Sequence, residues 1–373
     1  MKGLQLPVLS NNLSDADMAY AIIFLFLLTA LLSIVEKYLG RYKWIPYVLI
    51  GLTLILLAGF REIGIDPDSE NYADTYRNYY NTDKLTTSVE YSFIIISAFL
   101  NLFTEDAHAI FLFYALVGLS LKFFAFSHFS ENSLFLSVLL YIAFYYELHE
   151  VTQIRTGILS GFFLLSLKPI AEGKRWIALI LIAVGAFFHV SGVVLLPLVF
   201  LNNNPLSYKR RLLWAALIPA GYFLYFFGMG VLMTMESSIP YIGEKLALYQ
   251  KGAEMIVTEV NVNIFSPLQF FMMLLYAYLL FFYDTLTEEN KYFPLMMKIF
   301  TIGIFCLPAF AALPVLAERL NNLFNIVYII LFANIYRTIN PHFFGKLLVI
   351  SIALILLNYG LTYIDKFIFL WEV

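Results

Sequence analysis

The sequence predicts an all-α polytopic membrane protein, and three observations predict it. Of 373 residues, 61% are hydrophobic and only 13% are charged. Mean hydropathy is +0.80. The apolar residues come in long runs, and the polar residues left over are too few to coat a soluble domain of this size.

A crossing helix needs about 20 apolar residues. Met18–Val35 is the first such run; it is closed by Glu36-Lys37-Tyr38 and lacks the basic flank and cleavage site of a secretory leader. Ile45–Phe60 follows Arg41 and Lys43 and ends on Arg61. Ala109–Phe126 carries one charge, Lys122. Leu134–Tyr146 and Ile154–Leu167 are parted by the polar stretch from Glu147 to Gln153. Trp176–His189 begins after Lys174-Arg175, and the very short Val190–Leu201 adjoins it at an undefined boundary. Leu212–Met233 follows Lys209-Arg210-Arg211. Pro267–Tyr283 and Phe293–Ala311 flank the charged turn from Asp284 to Lys291, and Leu320–Tyr336 and Leu347–Tyr363 flank Arg337 and Lys346. That series gives about twelve transmembrane helices in a single integral membrane domain over residues 1–373.

Tyr91–Phe103 is apolar but short, and reads as an interfacial helix on the membrane surface. With it on the surface and the N-terminus outside, the inner connections are net basic and the outer ones net acidic, as the positive-inside rule requires. If Tyr91–Phe103 crossed, Lys168, Lys174, Arg175 and Lys209 to Arg211 would move outside. Two large extracytoplasmic loops result, 61–108 and about 234–266.

The outer ends of the spans collect the chemistry. Arg61, Glu62 and Asp66 leave the second span. Glu147, His149, Glu150, Gln153 and Arg155 lie between the fourth and fifth. His189 and Ser191 mark the next outer turn, and Glu318, Arg319 and Asn321 enter the eleventh span. Arginine anchors are favoured on the inner face, so Arg61, Arg155 and Arg319 on the outer face suggest a task. Guanidinium forks bind phosphate oxygens bidentately and keep their charge. Asp66, Glu150 and His189 each offer a base for a hydroxyl proton. Tyr72 and Tyr76 offer aromatic faces for sugars, or simply belt chemistry. Most other acids of the 61–108 loop read as solvated.

Several classes lack support. The chain has no Walker loop, dinucleotide fingerprint, metal triad or trusted Ser-His-Asp order. Its one cysteine, Cys306, lies alone in an apolar run. No basic patch suggests nucleic acid, and no cofactor is implied. A lipid-linked sugar flippase would show repeat symmetry and charges within the bundle. A polysaccharide O-acyltransferase could use His189 but leaves the three arginines unexplained.

At these residues the sequence resembles the EpsG-like, Wzy-type bacterial polysaccharide polymerases. Three pieces carry the likeness: Arg61, Gly64, Asp66 and Tyr72 after an apolar span; Gln153-Ile154-Arg155 with Thr156-Gly157-Ile158; and Phe188-His189-Val190-Ser191 followed by an apolar run to Pro197. Arg319 before a late span also fits. Thr156 departs from the glutamine expected there. The resemblance implies a GT-C-like fold and a metal-independent glycosyltransferase in the bacterial cytoplasmic membrane. Its substrates would be undecaprenyl-pyrophosphate-linked oligosaccharides, its surroundings membrane lipid, and a chain-length regulator protein a further partner. Arg155, Arg319 and Arg61 would bind pyrophosphate. His189, Asp66 or Glu150 would be catalytic, and Tyr72, Tyr76, Gln153 and Asn321 would contact substrate.

Overall fold

Lipid offers the backbone no hydrogen-bond partners, so a crossing chain closes its bonds within helices. The computed structural model describes residues 15–80, 90–130, 133–227 and 262–363, and the regular structure among them is helical throughout. Residues 228–261, with the end of the eighth predicted span and most of the second large loop, lie outside the described residues.

The described chain divides into two compact units: the chain up to Phe200 together with that from Phe332 onward, and Leu201–Leu331. In chain order the first contains α1 Asp15–Leu39, α2 Trp44–Gly59, α3 Ser69–Arg77, α4 Tyr91–Leu100, α5 His108–Phe129 and α6 Leu134–Leu140. Two π-helical segments follow, Tyr141–Tyr145 and Glu147–Thr152, then α7 Ile154–Ala171, α8 Arg175–Phe188 and a 3₁₀ stretch Val190–Phe200. The second unit holds α9 Tyr208–Ala215, α10 Leu217–Phe227, α11 Pro267–Phe281, α12 Tyr283–Glu289, α13 Phe293–Ala309 and α14 Pro314–Asn325. α15 Tyr328–Ala333 leads back to the first unit, which ends with α16 His342–Tyr363.

Among the described residues, four helical stretches are long and apolar enough to cross a membrane, or up to six if each of two bent pairs is one crossing. The first, Ala16–Gly59, has 44 residues. At 1.5 Å per residue it would be about 66 Å long, twice the hydrocarbon thickness. Its middle carries Glu36, Lys37, Arg41 and Lys43, and Gly40 adopts φ +50° there. Only a residue without a Cβ takes that conformation without strain.

Further apolar helices are shorter, so hydropathy counts more spans than helix length alone identifies. Tyr91–Leu100, Leu134–Tyr145, Arg175–Phe188, Val190–Phe200 and Phe293–Ala309 are apolar but only 10–17 residues long. The sixth and seventh predicted spans part at His189, which is extended at φ −152° and ψ 124°. The 11 residues after it form a 3₁₀ helix. At about 2.0 Å rise per residue they reach about 22 Å, more than an α-helix of that length.

α4 has 10 residues, about 15 Å, half a bilayer core. Ser92, Phe93 and Ser97 face inward, while Tyr91, Ile95 and Phe99 are exposed. α4 touches α3, α5 and α8; α2 packs on α5, α5 on α7, and α7 on α8. α7 is thus the spine of the first unit, with Ile154, Ile158, Phe163, Leu164 and Leu167 buried along it.

Two charges expected at the inner face are instead used inside the first unit. Glu36 accepts hydrogen bonds from the backbone amides of Leu134 (3.1 Å) and Phe135 (3.4 Å), and so caps the start of α6. Lys122 is fully buried and ion-paired with Glu150. A buried ammonium needs a counter-charge, and Glu150 supplies it.

Candidate functional site

The R-x-x-G-x-D sequence folds into a clamp at the end of α2. Each nitrogen of Arg61 is occupied: Nε donates to Asp66 Oδ2 (3.2 Å), Nη1 to the Ala58 carbonyl (2.6 Å) and Nη2 to the Val151 carbonyl (2.7 Å). Phe111 covers its face, with the ring centroid 4.0 Å away. Its exposure is 0%. The other carboxylate oxygen of Asp66 accepts from the amides of Asp68 and Ser69, both at 3.0 Å, and fixes the start of α3. Gly64 sits at φ +100° and donates its amide to Ser69 Oγ at 2.8 Å. The turn needs that left-handed residue, which explains the glycine in the motif. Arg61 and Asp66 are therefore withdrawn from solvent and hold the loop.

The clamp aims α3. Its Tyr72 is buried beneath Arg155, whose guanidinium lies 5.4 Å from the ring centroid, and stacks on Phe93 at 5.6 Å. Burial pushes the Tyr72 phenol up to about 12, with Arg155 pulling the other way. Tyr76, one turn on, is fully buried and donates to the Thr104 carbonyl at 2.6 Å. Its ring braces α3 and exposes no face to a sugar, which corrects the expected stacking role.

Arg155 stands in the first turn of α7, where helix amides add positive potential. It is ion-paired with Glu90, the residue that starts α4, and both are partly exposed. The other Glu90 oxygen faces the Val190 amide at 3.4 Å and His189 Nε2 at 3.9 Å. His189 Nδ1 accepts the Ser191 amide at 3.2 Å. In the neutral ring the proton is then on Nε2, toward Glu90. Gln153 precedes Arg155 and is partly buried, its carbonyl accepting the Gly157 amide at 2.9 Å. Glu90, Arg155, His189 and Tyr72 thus come together from four parts of the chain.

Behind them lies a second, buried polar group. Lys122 donates to Glu150 and to the Gly157 carbonyl (2.6 Å), and Tyr141 donates to the same Glu150 oxygen at 2.5 Å. His149 Nδ1 pairs with Ser160 Oγ at 3.1 Å, and its ring lies 4.9 Å from Tyr145. Burial raises the Glu147 carboxyl to about 7. The π-helical segment carries Glu147, His149 and Glu150, all buried. Arg319 and Asn321 belong to α14 of the second unit: Arg319 is exposed, and Asn321 accepts from Asn325 at 2.7 Å.

The site can hold an anion, since the guanidinium at this helix N-terminus is ion-paired with a partly exposed carboxylate that another anion can displace. Residues 44–369 match the model of the EpsG family. The chain belongs to the EpsG family. It is also 22% identical to the amylovoran biosynthesis protein AmsC of Erwinia amylovora over 326 residues, 84% of this chain and 85% of that protein. No solved structure matches it. The EpsG resemblance read from Arg61–Tyr72, Gln153–Ile158 and Phe188–Ser191 is thereby borne out at the level of family.

Within this EpsG-family chain, Glu90 and Lys122 were not singled out by sequence reasoning. Glu90 is one acid among many in the 61–108 loop. Its signal is its place immediately before the apolar run from Tyr91, where a carboxylate suits a helix start. Lys122 was conspicuous as a charge inside an apolar run, the usual mark of a buried functional or paired group.

Proposed function

We propose that this EpsG-family protein is a polysaccharide polymerase. It transfers an undecaprenyl-pyrophosphate-linked glycan onto a hydroxyl of an incoming lipid-linked repeat unit, at the extracytoplasmic face of the bacterial cytoplasmic membrane. The observation that carries this reading is Arg155: a partly exposed guanidinium on a helix N-terminus, backed by Tyr72 and joined through Glu90 to His189. That arrangement suits a pyrophosphate leaving group whose negative charge grows as the glycosidic bond breaks. A GT-C-like bundle of about twelve crossings, with α4 lying at the interface, belongs to the same reading.

The geometry supports the following roles. Arg155 binds pyrophosphate; Arg319, exposed on α14, is a guanidinium of the second unit able to bind an anion there. Arg61 and Asp66 act as the clamp that places Tyr72. Glu150 is held by Lys122 and Tyr141 and acts through the π-helical segment. His189 offers a hydrogen on Nε2 rather than a lone pair, so it orients groups at the site, and the acceptor proton passes to a carboxylate there. Tyr72 lines the sugar-phosphate end, with Gln153 as a further polar contact.

A chromosomal Arg155→Ala tests the reading on a glycan ladder. The expected result is collapse to a single repeat unit at normal protein level, with lipid-linked precursor accumulating. Arg155→Lys is expected to fail as well, because an ammonium cannot supply the bidentate fork. Full-length polymer from Arg155→Ala overturns the assignment. Intact ladders of altered mass would indicate acyl transfer, and complete loss of surface glycan would indicate flipping.

A further inference from the structure

The partner that Arg155 has in this structure is informative. Glu90 sits where an anionic ligand of Arg155 would sit: its carboxylate pairs with the guanidinium while its second oxygen faces the Val190 amide and His189 Nε2. A bound phosphate oxygen and a carboxylate oxygen compete for the same guanidinium fork. We infer that Glu90 is the general base of the reaction, held idle by Arg155 until the donor's pyrophosphate takes its place. This rests on the polymerase reading above.

The groups facing Glu90 make the exchange intelligible. They are Arg155 on α7, His189 after α8 and Tyr114 on α5, while Tyr72 on α3 lies against Arg155. A carboxylate oxygen engaged by a guanidinium N–H has its lone pair occupied and is not available to an acceptor hydroxyl. Transfer of the guanidinium to pyrophosphate lifts that restraint. Glu90 keeps the His189 Nε2–H and the Val190 amide to orient it. The acceptor O–H proton then passes to the Glu90 carboxylate and the acceptor oxygen bonds the anomeric carbon. The bond from that carbon to the pyrophosphate oxygen breaks, and the leaving group departs on Arg155. Asp66 and Glu150 cannot serve as readily: both oxygens of Asp66 are occupied, and Glu150 is fully buried with Lys122. The base forms only once the donor is bound.

The test uses the purified full chain, inorganic pyrophosphate as a binding probe, and the lipid-linked repeat unit that accumulates in cells lacking the protein as substrate. For Glu90→Gln, two changes of opposite sense are expected. Pyrophosphate binds about tenfold tighter, because the internal competitor is gone. Turnover falls at least about a hundredfold, because the proton acceptor is gone. Glu90→Asp keeps a carboxylate and is expected to retain more turnover than Glu90→Gln, which guards against a folding explanation. Unchanged or weaker pyrophosphate binding by Glu90→Gln, or turnover near wild type, overturns the inference. The polymerase reading fails separately, if Arg155→Ala binds pyrophosphate as wild type does.

Discussion

Arg61 and Arg155 look alike in the sequence, each a lone guanidinium at the end of an apolar run, yet their surroundings set them to different work. Arg61 spends every nitrogen on the protein and has Asp66 as its buried counter-charge. Removing one partner of a buried pair leaves the other charged and unsolvated, at a cost of about 3–5 kcal/mol. Arg61→Met is therefore expected to lower thermal stability in detergent by that order and to reduce the amount of protein in the membrane. Arg155→Ala is expected to leave the melting temperature nearly unchanged while abolishing polymer. Equal melting temperatures for Arg61→Met and wild type would remove the clamp from this account. Burial decides between the two arginines, and burial depends on where Val151, Ala58 and Phe111 come to lie, which no local motif reports.

At the scale of elements, the π-helical segment between α6 and α7 is the least expected feature. Hydropathy places Glu147 to Gln153 in an outer loop, because a charged stretch between two apolar runs reads as solvated. In the structure the backbone stays wound, and Glu147, His149 and Glu150 turn inward. Wide π turns are rare and gather at functional sites. Gly157 lets α7 approach this segment, since a Cβ there would collide with the His149 carbonyl. The glycine after Arg155-Thr156 was legible as part of a motif; its reason was not, since the close approach involves a segment eight residues away. Glu147 gives the segment a pH dependence. Its carboxyl, ordinarily 4.5, is raised by burial to about 7. Between those values the unfolded chain releases the proton and the folded chain keeps it, so stability falls as pH rises through that window and is level above it. Glu147→Gln removes the penalty. Its melting temperature is expected to match wild type near pH 4.5 and to exceed it at pH 8, by up to about 3 kcal/mol in stability. A difference that does not change with pH would mean that Glu147 is not held protonated in the folded protein.

At the scale of the whole molecule, composition announced a helical membrane protein, and the motifs of the first 200 residues announced the family. Arg155 and His189 were legible because a polar residue in apolar sequence stands out, and Tyr72 because it belongs to the pattern with Arg61, Gly64 and Asp66. Glu90 was not, because an acid in an acidic loop does not, and its partner lies 65 residues away. The orientation is the feature on which the proposed extracytoplasmic site depends, and it rests on loop charge. It can be read chemically. Cys306, the one cysteine of the chain, is buried, so the native protein gives a quiet background for thiol labelling. Tyr80, 72% exposed beyond α3, lies on the predicted outer side. Lys174, with 59% of its side chain exposed, lies on the predicted inner turn between α7 and α8. In intact cells stripped of any outer barrier, a membrane-impermeant maleimide is expected to label Tyr80→Cys and to spare Lys174→Cys until the membrane is opened. The reverse pattern would put α3, and with it Tyr72 and the Glu90–Arg155–His189 group, on the cytoplasmic side. That would end the extracytoplasmic polymerase reading whatever Arg155 binds.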